Sequence, residues 1–238
     1  MIIEADFKSL EVTCAAYLSR DPVMMQEVMD GIDPHAENAK TFFGTTDKRS
    51  EAKAGTFSIQ FGATPAGVAW ATGMSFKKAS MFVDFYWEKY NGLKRYNDKN
   101  IALCLHGEDI VTPTGRRYSF KVGRDGSYDE VVRKVKNYPT QGFAGRDIVP
   151  IAMIKSWQAI KGMKTLMINE IHDSVLLDSP DEEVYTACSK MKDAFEIQTR
   201  RAFKKLHGFE FDLPLRCEIK TGPNWGETEV WNGSLGMS

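Results

Sequence analysis

The chain has 238 residues, 42% hydrophobic and 26% charged, an ordinary globular composition with enough apolar residues for a proper core. Its 31 basic and 32 acidic side chains give a formal charge of -1, and no apolar run approaches the ~18 residues of a membrane-spanning helix. The start at Met1-Ile2-Ile3-Glu4 is unlike a secretory leader. Four scattered cysteines without a CxxC pair argue against structural zinc and a disulfide scaffold, and favour a reducing, cytoplasmic compartment.

Met1 to Phe7 is short, apolar and bounded by acids, and reads as a strand. Residues 10–18 carry apolar positions at helical spacing. Thr46 or Asp47 is placed to cap a helix that runs to Gly62, and Ser75 one that runs through Tyr90. Thr112 to Gly115 reads as a turn before Arg116, Arg117 and Tyr118. Residues 142–161 look helical, with Pro150 either kinking the helix or marking its first turn. Residues 164–178 read as a hairpin with His172-Asp173 at its tip. A helix follows from about Glu182 to Leu206, and Leu215 to Ile219 is strand-like. Irregular alternation of strands and helices, without repeats or linkers, predicts an α+β or mixed α/β fold.

The charge is divided along the chain. Residues 40–136 hold 17 Lys/Arg against 10 Asp/Glu, and the remainder 14 against 22. A basic middle and an acidic remainder suit a polyanion groove beside a metal-binding carboxylate site, although an unevenly charged solvated surface gives the same numbers. Arg49, Lys53, Phe57 and Phe61 recur every fourth residue and form one helical stripe, cationic and then aromatic. A nucleotide uses both halves, cations for phosphates and flat apolar surface for sugar and base. The bland alternative is phenylalanines in the core and cations in water. Asp6 ends the opening strand and Asp173 sits at the hairpin tip. Each alone suits a turn, but two-metal chemistry needs carboxylates from separate strands to converge on ions about 4 Å apart.

In this order the elements resemble the C-terminal part of family A DNA polymerases, the DNA polymerase I type. Residues 6–11 (Asp-Phe-Lys-Ser-Leu-Glu) resemble motif A, Arg49-x3-Lys53-x3-Phe57-x3-Phe61-Gly62 motif B, and 171–174 (Ile-His-Asp-Ser) motif C. Asp33-Pro34-His35, Gly115-Arg116-Arg117 and Asn137-x-Pro139-x-Gln141-Gly142 match in order between them, and the likeness spans nearly the whole chain. The resemblance implies a right-hand palm and fingers without a thumb, built as a small antiparallel palm sheet with many helices. Palm is expected at 1–25, fingers at 26–140 and palm again at 141–238.

The resemblance further implies a catalytic set of Asp6, Asp173 and Lys53. Asp6, Asp173 and the Phe7 carbonyl would hold two Mg²⁺ ions. His35, Arg49 and Lys53 would bind the triphosphate of a deoxynucleotide, with Phe57 on its sugar, Phe61 near the bases and Glu11 excluding a 2′-hydroxyl. Asn137, Gln141 and His172 would touch primer-template DNA, with Arg116 and Arg117 on its backbone. Three positions depart from the family pattern: Ser174 for the usual motif C Glu, Phe61 for Tyr, and Thr13 for an Arg.

The implied activity is DNA-templated addition of deoxynucleotides to a primer. A single-subunit RNA polymerase and a non-catalytic DNA-binding remnant are the alternatives. Glu11 and Phe61 argue against the first, and the intact aspartates and cations against the second. Brevity points to a viral or plasmid-borne replicase, phage-like, as the source. Motif A so near the start, with few other strand candidates, predicts a separate N-terminal polypeptide that supplies the thumb, missing palm strands and any exonuclease; no membrane partner is expected.

Overall fold

In the computed structural model, residues 1–233 are described. The strands among them are β1 (Ile2–Phe7), β2 (Ile110–Val111), β3 (Arg117–Tyr118), β4 (Leu166–Ile171), β5 (Ser174–Asp178), β6 (Cys217–Gly222) and β7 (Glu229–Val230). The α-helices are α1 (Leu10–Ser19), α2 (Pro22–Asp30), α3 (Pro34–Phe43), α4 (Arg49–Gln60), α5 (Pro65–Thr72), α6 (Phe76–Lys89), α7 (Asn91–Leu105), α8 (Tyr128–Gly142), α9 (Val149–Ile160), α10 (Val184–Asp193) and α11 (Thr199–His207). They group into two compact units, residues 1–11 with 142 onward, and residues 12–141. Residues 12–25, which the sequence groups with the opening segment, thus fall in the second unit. No helix among the described residues is long and apolar enough to cross a membrane.

The first unit is an antiparallel five-stranded sheet, ordered β4-β5-β1-β6-β7, with helices. Strand β1 alternates as a half-buried strand should: Ile3, Ala5 and Phe7 are buried, while Ile2, Glu4 and Asp6 are partly open. It lies at the centre, paired with β5 through Asp6↔Ser174 and with β6 through Asp6↔Glu218. This corrects the expectation that the chain lacks palm strands to flank β1. Both neighbours come from its own later residues. Phe7 packs on Phe195 with ring centroids 4.5 Å apart, and Ala187, Cys188 and Met191 of α10 are buried.

The helix expected at 142–161 continues directly from α8 through a π-helical stretch at Phe143–Ile148. Pro150 falls at the second position of α9, inside this continuous helical run and just after the π stretch. The helix expected at 182–206 is two helices joined by a second π stretch, Ala194–Gln198. The tail strand begins at Cys217 rather than Leu215, and all four cysteines are buried free thiols.

The second unit is helical apart from the β2–β3 hairpin. Asp21, Asp33, Thr64 and Ser75 cap α2, α3, α5 and α6, each accepting from backbone N–H groups of the first turn. At motif B the cap differs from expectation. Thr45 caps a 3₁₀ turn at Thr46–Lys48, and α4 follows without a side-chain cap of its own. A small core of Cys104, Ile110, Phe120, Val131 and Val135 seats the hairpin between α7 and α8.

Candidate active site

In the sheet unit, motif A and motif C meet through the β1–β5 pairing. The β4–β5 hairpin turns on His172 and Asp173, with Ile171 opposite Ser174. His172 adopts φ 57°, a left-handed conformation that histidine tolerates better than most residues. The Phe7 N–H donates to the Asp173 carbonyl at 3.4 Å, which ties the tip to the end of β1. Burial, and then the nearby Asp173 and Glu4 carboxylates, push the Asp6 carboxyl up to about 6. Burial likewise raises Asp173. Two half-buried carboxylates at one sheet end, with charges the fold disfavours, suit a cation.

Among the described residues no three His, Cys, Asp or Glu side chains are grouped as a metal cage. A two-carboxylate donor set fits Mg²⁺, which takes one or two protein carboxylates and completes its octahedron with water and substrate phosphates. Ser174 adds nothing to that set. Its hydroxyl donates to the Ile171 carbonyl at 3.0 Å. Glu11 lies half-buried in the first turn of α1, in the same unit as Asp6.

In the helical unit, the stripe on α4 is sorted by burial. Ala52, Gly55, Thr56, Ile59 and Gln60 face the core, whereas Arg49 and Lys53 are exposed and Phe57 and Phe61 half-buried. The two phenylalanines are therefore only partly in the core, while the cations lie in solvent as the bland alternative has them. Phe57 lies 5.6 Å from Phe61 and 5.3 Å from the His35 ring, and the Lys53 ammonium sits 5.7 Å from its centre. Gly55 allows the close fit, because a Cβ there would come within 2.6 Å of the buried Phe82 ring. Gly62 (φ 84°) ends the helix, where a Cβ would meet Arg133 at 2.9 Å.

His35 is buried, and its Nδ1 has no hydrogen-bond partner. Burial pushes it down to about 4, opposed by Asp33 and aided by Arg49 and Lys53, so it is neutral at pH 7. Asp33 binds the Arg49 Nε at 2.6 Å. Burial works to raise the Asp33 carboxyl, but Arg49 and the N–H groups of Ala36 and His35 outweigh it and hold it below the usual range. Sequence reasoning missed this partner of Arg49; Asp33-Pro34 announces a helix cap and nothing more. His35, Arg49, Lys53, Phe57 and Phe61 thus form one cation-aromatic cluster.

The expected DNA contacts fall on separate elements. Arg116 and Arg117 follow the Thr112–Gly115 turn, where Gly115 takes φ 85°, and Arg117 reaches Asp109 at 3.5 Å. Asn137 and Gln141 stand four residues apart on α8, either side of Pro139. Asn137 Oδ1 is buried without a partner, and Gln141 is exposed.

Comparison with known proteins gives a consistent answer. Residues 1–227 match the sequence pattern of DNA polymerase family A. The chain is 30% identical over 242 residues to DNA polymerase I of Caldicellulosiruptor bescii, covering 96% of this chain and 27% of that one. It is 25% identical over 236 residues to DNA polymerase I of Bacillus subtilis, covering 94% and 26%. The chain therefore spans about a quarter of the length of these curated relatives. The fold is that of the POL domain of Pol1 from M. smegmatis, solved in complex with DNA primer-template and dNTP, with a TM-score of 0.79. That likeness covers 94% of this chain and 40% of the other at 23% identity.

Proposed function

The chain belongs to DNA polymerase family A, and from that premise we propose that it is the catalytic portion of a DNA-templated DNA polymerase, adding deoxynucleotides to a primer 3′ end. The observation that carries the reading is the pairing of β1 with β5, which brings Asp6 and Asp173 to one sheet end. In the proposed division of labour, the sheet unit is the palm and the helical unit the fingers.

Asp6 and Asp173, with the Phe7 carbonyl, are the groups that would hold two Mg²⁺ ions. Such ions supply activation of the attacking oxygen and neutralisation of the leaving phosphates. Half-buried and raised, the two carboxylates favour a bound cation over free charge. Arg49 and Lys53 bind the triphosphate, and Lys53, the catalytic cation of the set, offsets the charge that develops on the leaving pyrophosphate. Arg49 exchanges Asp33 for phosphate, and His35 donates to phosphate once it gains a proton. Phe57 packs on the sugar, Phe61 lies by the bases, and Glu11 crowds out a 2′-hydroxyl. Asn137, Gln141, His172, Arg116 and Arg117 hold the primer-template.

We also propose an N-terminal partner portion with the thumb. The support is the longer curated relatives, not the sheet, whose central strand is already flanked on both sides.

Primer extension by the chain, alone and with a thumb-bearing portion supplied, tests the proposal. Asp173→Asn is expected to lower extension at least about 10³-fold while primer-template affinity stays within about threefold, since backbone phosphates dominate that affinity. Ser174→Ala is expected to be mild. Near-normal extension by Asp173→Asn would refute the assignment.

A further inference from the structure

One step beyond Asp6, on the same face, stands a cation that motif matching leaves without a role. We infer that Lys8, held ready by Glu218, binds a phosphate adjoining the reacting one; the inference rests on the nucleotidyl-transfer reading above.

Glu4, Asp6 and Lys8 alternate along one face of β1 and its continuation, while Ala5 and Phe7 are buried on the other. The ladder continues past the strand end, with the Lys8 N–H donating to the Arg216 carbonyl at 2.8 Å. That bond fixes the Lys8 backbone and leaves its side chain free on the face that carries Asp6. The ammonium meets Glu218 at 2.9 Å, and Glu218 stands directly opposite Asp6 in the β1–β6 register. Glu218 has a second cation, Lys220, at 3.8 Å, which also reaches Glu4 at 3.8 Å. Lys8 can therefore leave for a phosphate without stranding a carboxylate.

An ion pair this exposed, with 53% of the Lys8 side chain open, adds little to stability. Its effect is to aim the ammonium. Apart from Lys220, which Glu4 and Glu218 hold, the face presents the carboxylates Glu4, Asp6, Asp173 and Glu218, a cluster that repels phosphates. Two residues of extended chain separate Lys8 from Asp6 by about 7 Å, within the span of one nucleotide step for a side chain as long as lysine. Lysine suits the task as a flexible point charge for phosphate. Glu218 is a positioning residue, acting through Lys8. The phosphate has two sources, the last linkage of the primer or the tail of the incoming nucleotide.

Equilibrium binding of the full chain, followed by fluorescence anisotropy over a KCl series, separates them. One arm uses a dideoxy-terminated primer-template, with and without a neutral methylphosphonate at the last primer linkage. The other titrates a non-hydrolysable deoxynucleoside triphosphate. If the primer supplies the phosphate, Lys8→Ala weakens DNA binding roughly fivefold and lowers the salt slope by about one. The methylphosphonate then costs the wild type the same and the variant nothing. If the nucleotide supplies it, DNA binding is unchanged and nucleotide affinity falls roughly fivefold. In either case Lys8→Arg retains most affinity, and Glu218→Gln adds nothing to Lys8→Ala, a non-additivity that a merely structural carboxylate would not show. Circular dichroism checks that each variant folds. Wild-type affinity of Lys8→Ala in both arms would overturn the inference and reduce the pair to a surface contact. A wild-type chain that binds neither probe, even with a thumb-bearing portion supplied, would overturn the polymerase reading with it.

Discussion

At Asp6 the fold holds a charge against its own preference. The carboxyl is raised to about 6, so the native state binds a proton more tightly than the unfolded chain does. Asp6 therefore contributes stability below about pH 4 that is lost as pH rises through about 6. Asp6→Asn removes that loss. It is expected to melt about 2–4 °C higher than wild type at neutral pH while nucleotide addition disappears. Equal melting of the two proteins would show that the raised carboxyl carries no energetic cost. His35 has the opposite sign. Held near 4 by burial, with Asp33 opposing and Arg49 and Lys53 assisting, it contributes stability above about pH 6.5 that is lost as pH falls through about 4. A triphosphate bound at Arg49 and Lys53, as proposed, would reverse the local charge, so nucleotide binding near pH 5.5 is expected to take up a proton at His35. NMR titration of its ring with and without nucleotide tests this, and an unmoved titration would remove His35 from the triphosphate site. The candidate residues of the site could be named from the sequence because motif spacing is local. The Asp33–Arg49 pair could not, since it depends on how α3 packs against α4.

Among the elements, the clearest joint is Asp21. Its Oδ1 accepts from the N–H groups of Val23 and Met24 at the start of α2, and its Oδ2 from those of Gly92 and Leu93 at the start of α7. One buried carboxylate thus caps two helices that are about seventy residues apart in the chain. Gly92 is obligatory for the approach, since a Cβ there would lie 2.7 Å from the Asp21 Cα. Asp21→Ala is expected to destabilise the protein by about 2–4 kcal/mol, the sum of two caps, and Asp21→Asn by less. Urea unfolding measures it; a loss below about 1 kcal/mol would mean that water replaces the carboxylate. Asp21-Pro22 could be read as a cap from sequence, as Ser75 was, but its second helix could not. The π stretches escaped for a related reason. Their extra residues are placed by packing, as when Phe195 is laid on Phe7, and no period in the sequence records that. The helix and hairpin positions that were legible rest on capping and alternation, which act within a few residues, whereas α2, α3, α5, α7 and most of α8 went unread. The two strands beside β1 begin some 170 and 210 residues later, beyond any local pattern.

Across the whole molecule, the sheet is closed by distant parts of one chain. Ile2 pairs with both Asp178 and Gly222, so residues 12–141 lie within the span between β1 and its partners. Such pairings delay sheet formation, because the loop must close before its contacts form. The antiparallel register also decides how the sheet answers a pull. Ile2 and Gly222 sit side by side at one end of the β1–β6 ladder, and Phe7 and Cys217 at the other. Handles at residues 2 and 222 load the hydrogen bonds one after another, as a zipper opens, whereas handles at 2 and 217 load them all at once in shear. In optical tweezers the first geometry is expected to yield at clearly lower force; equal forces would mean that the ladder does not bear the load. Unzipping begins at Ile2 and travels towards Asp6. Tension along this pair therefore reaches the aspartate end last, and the outer rungs act as a mechanical fuse for the proposed site.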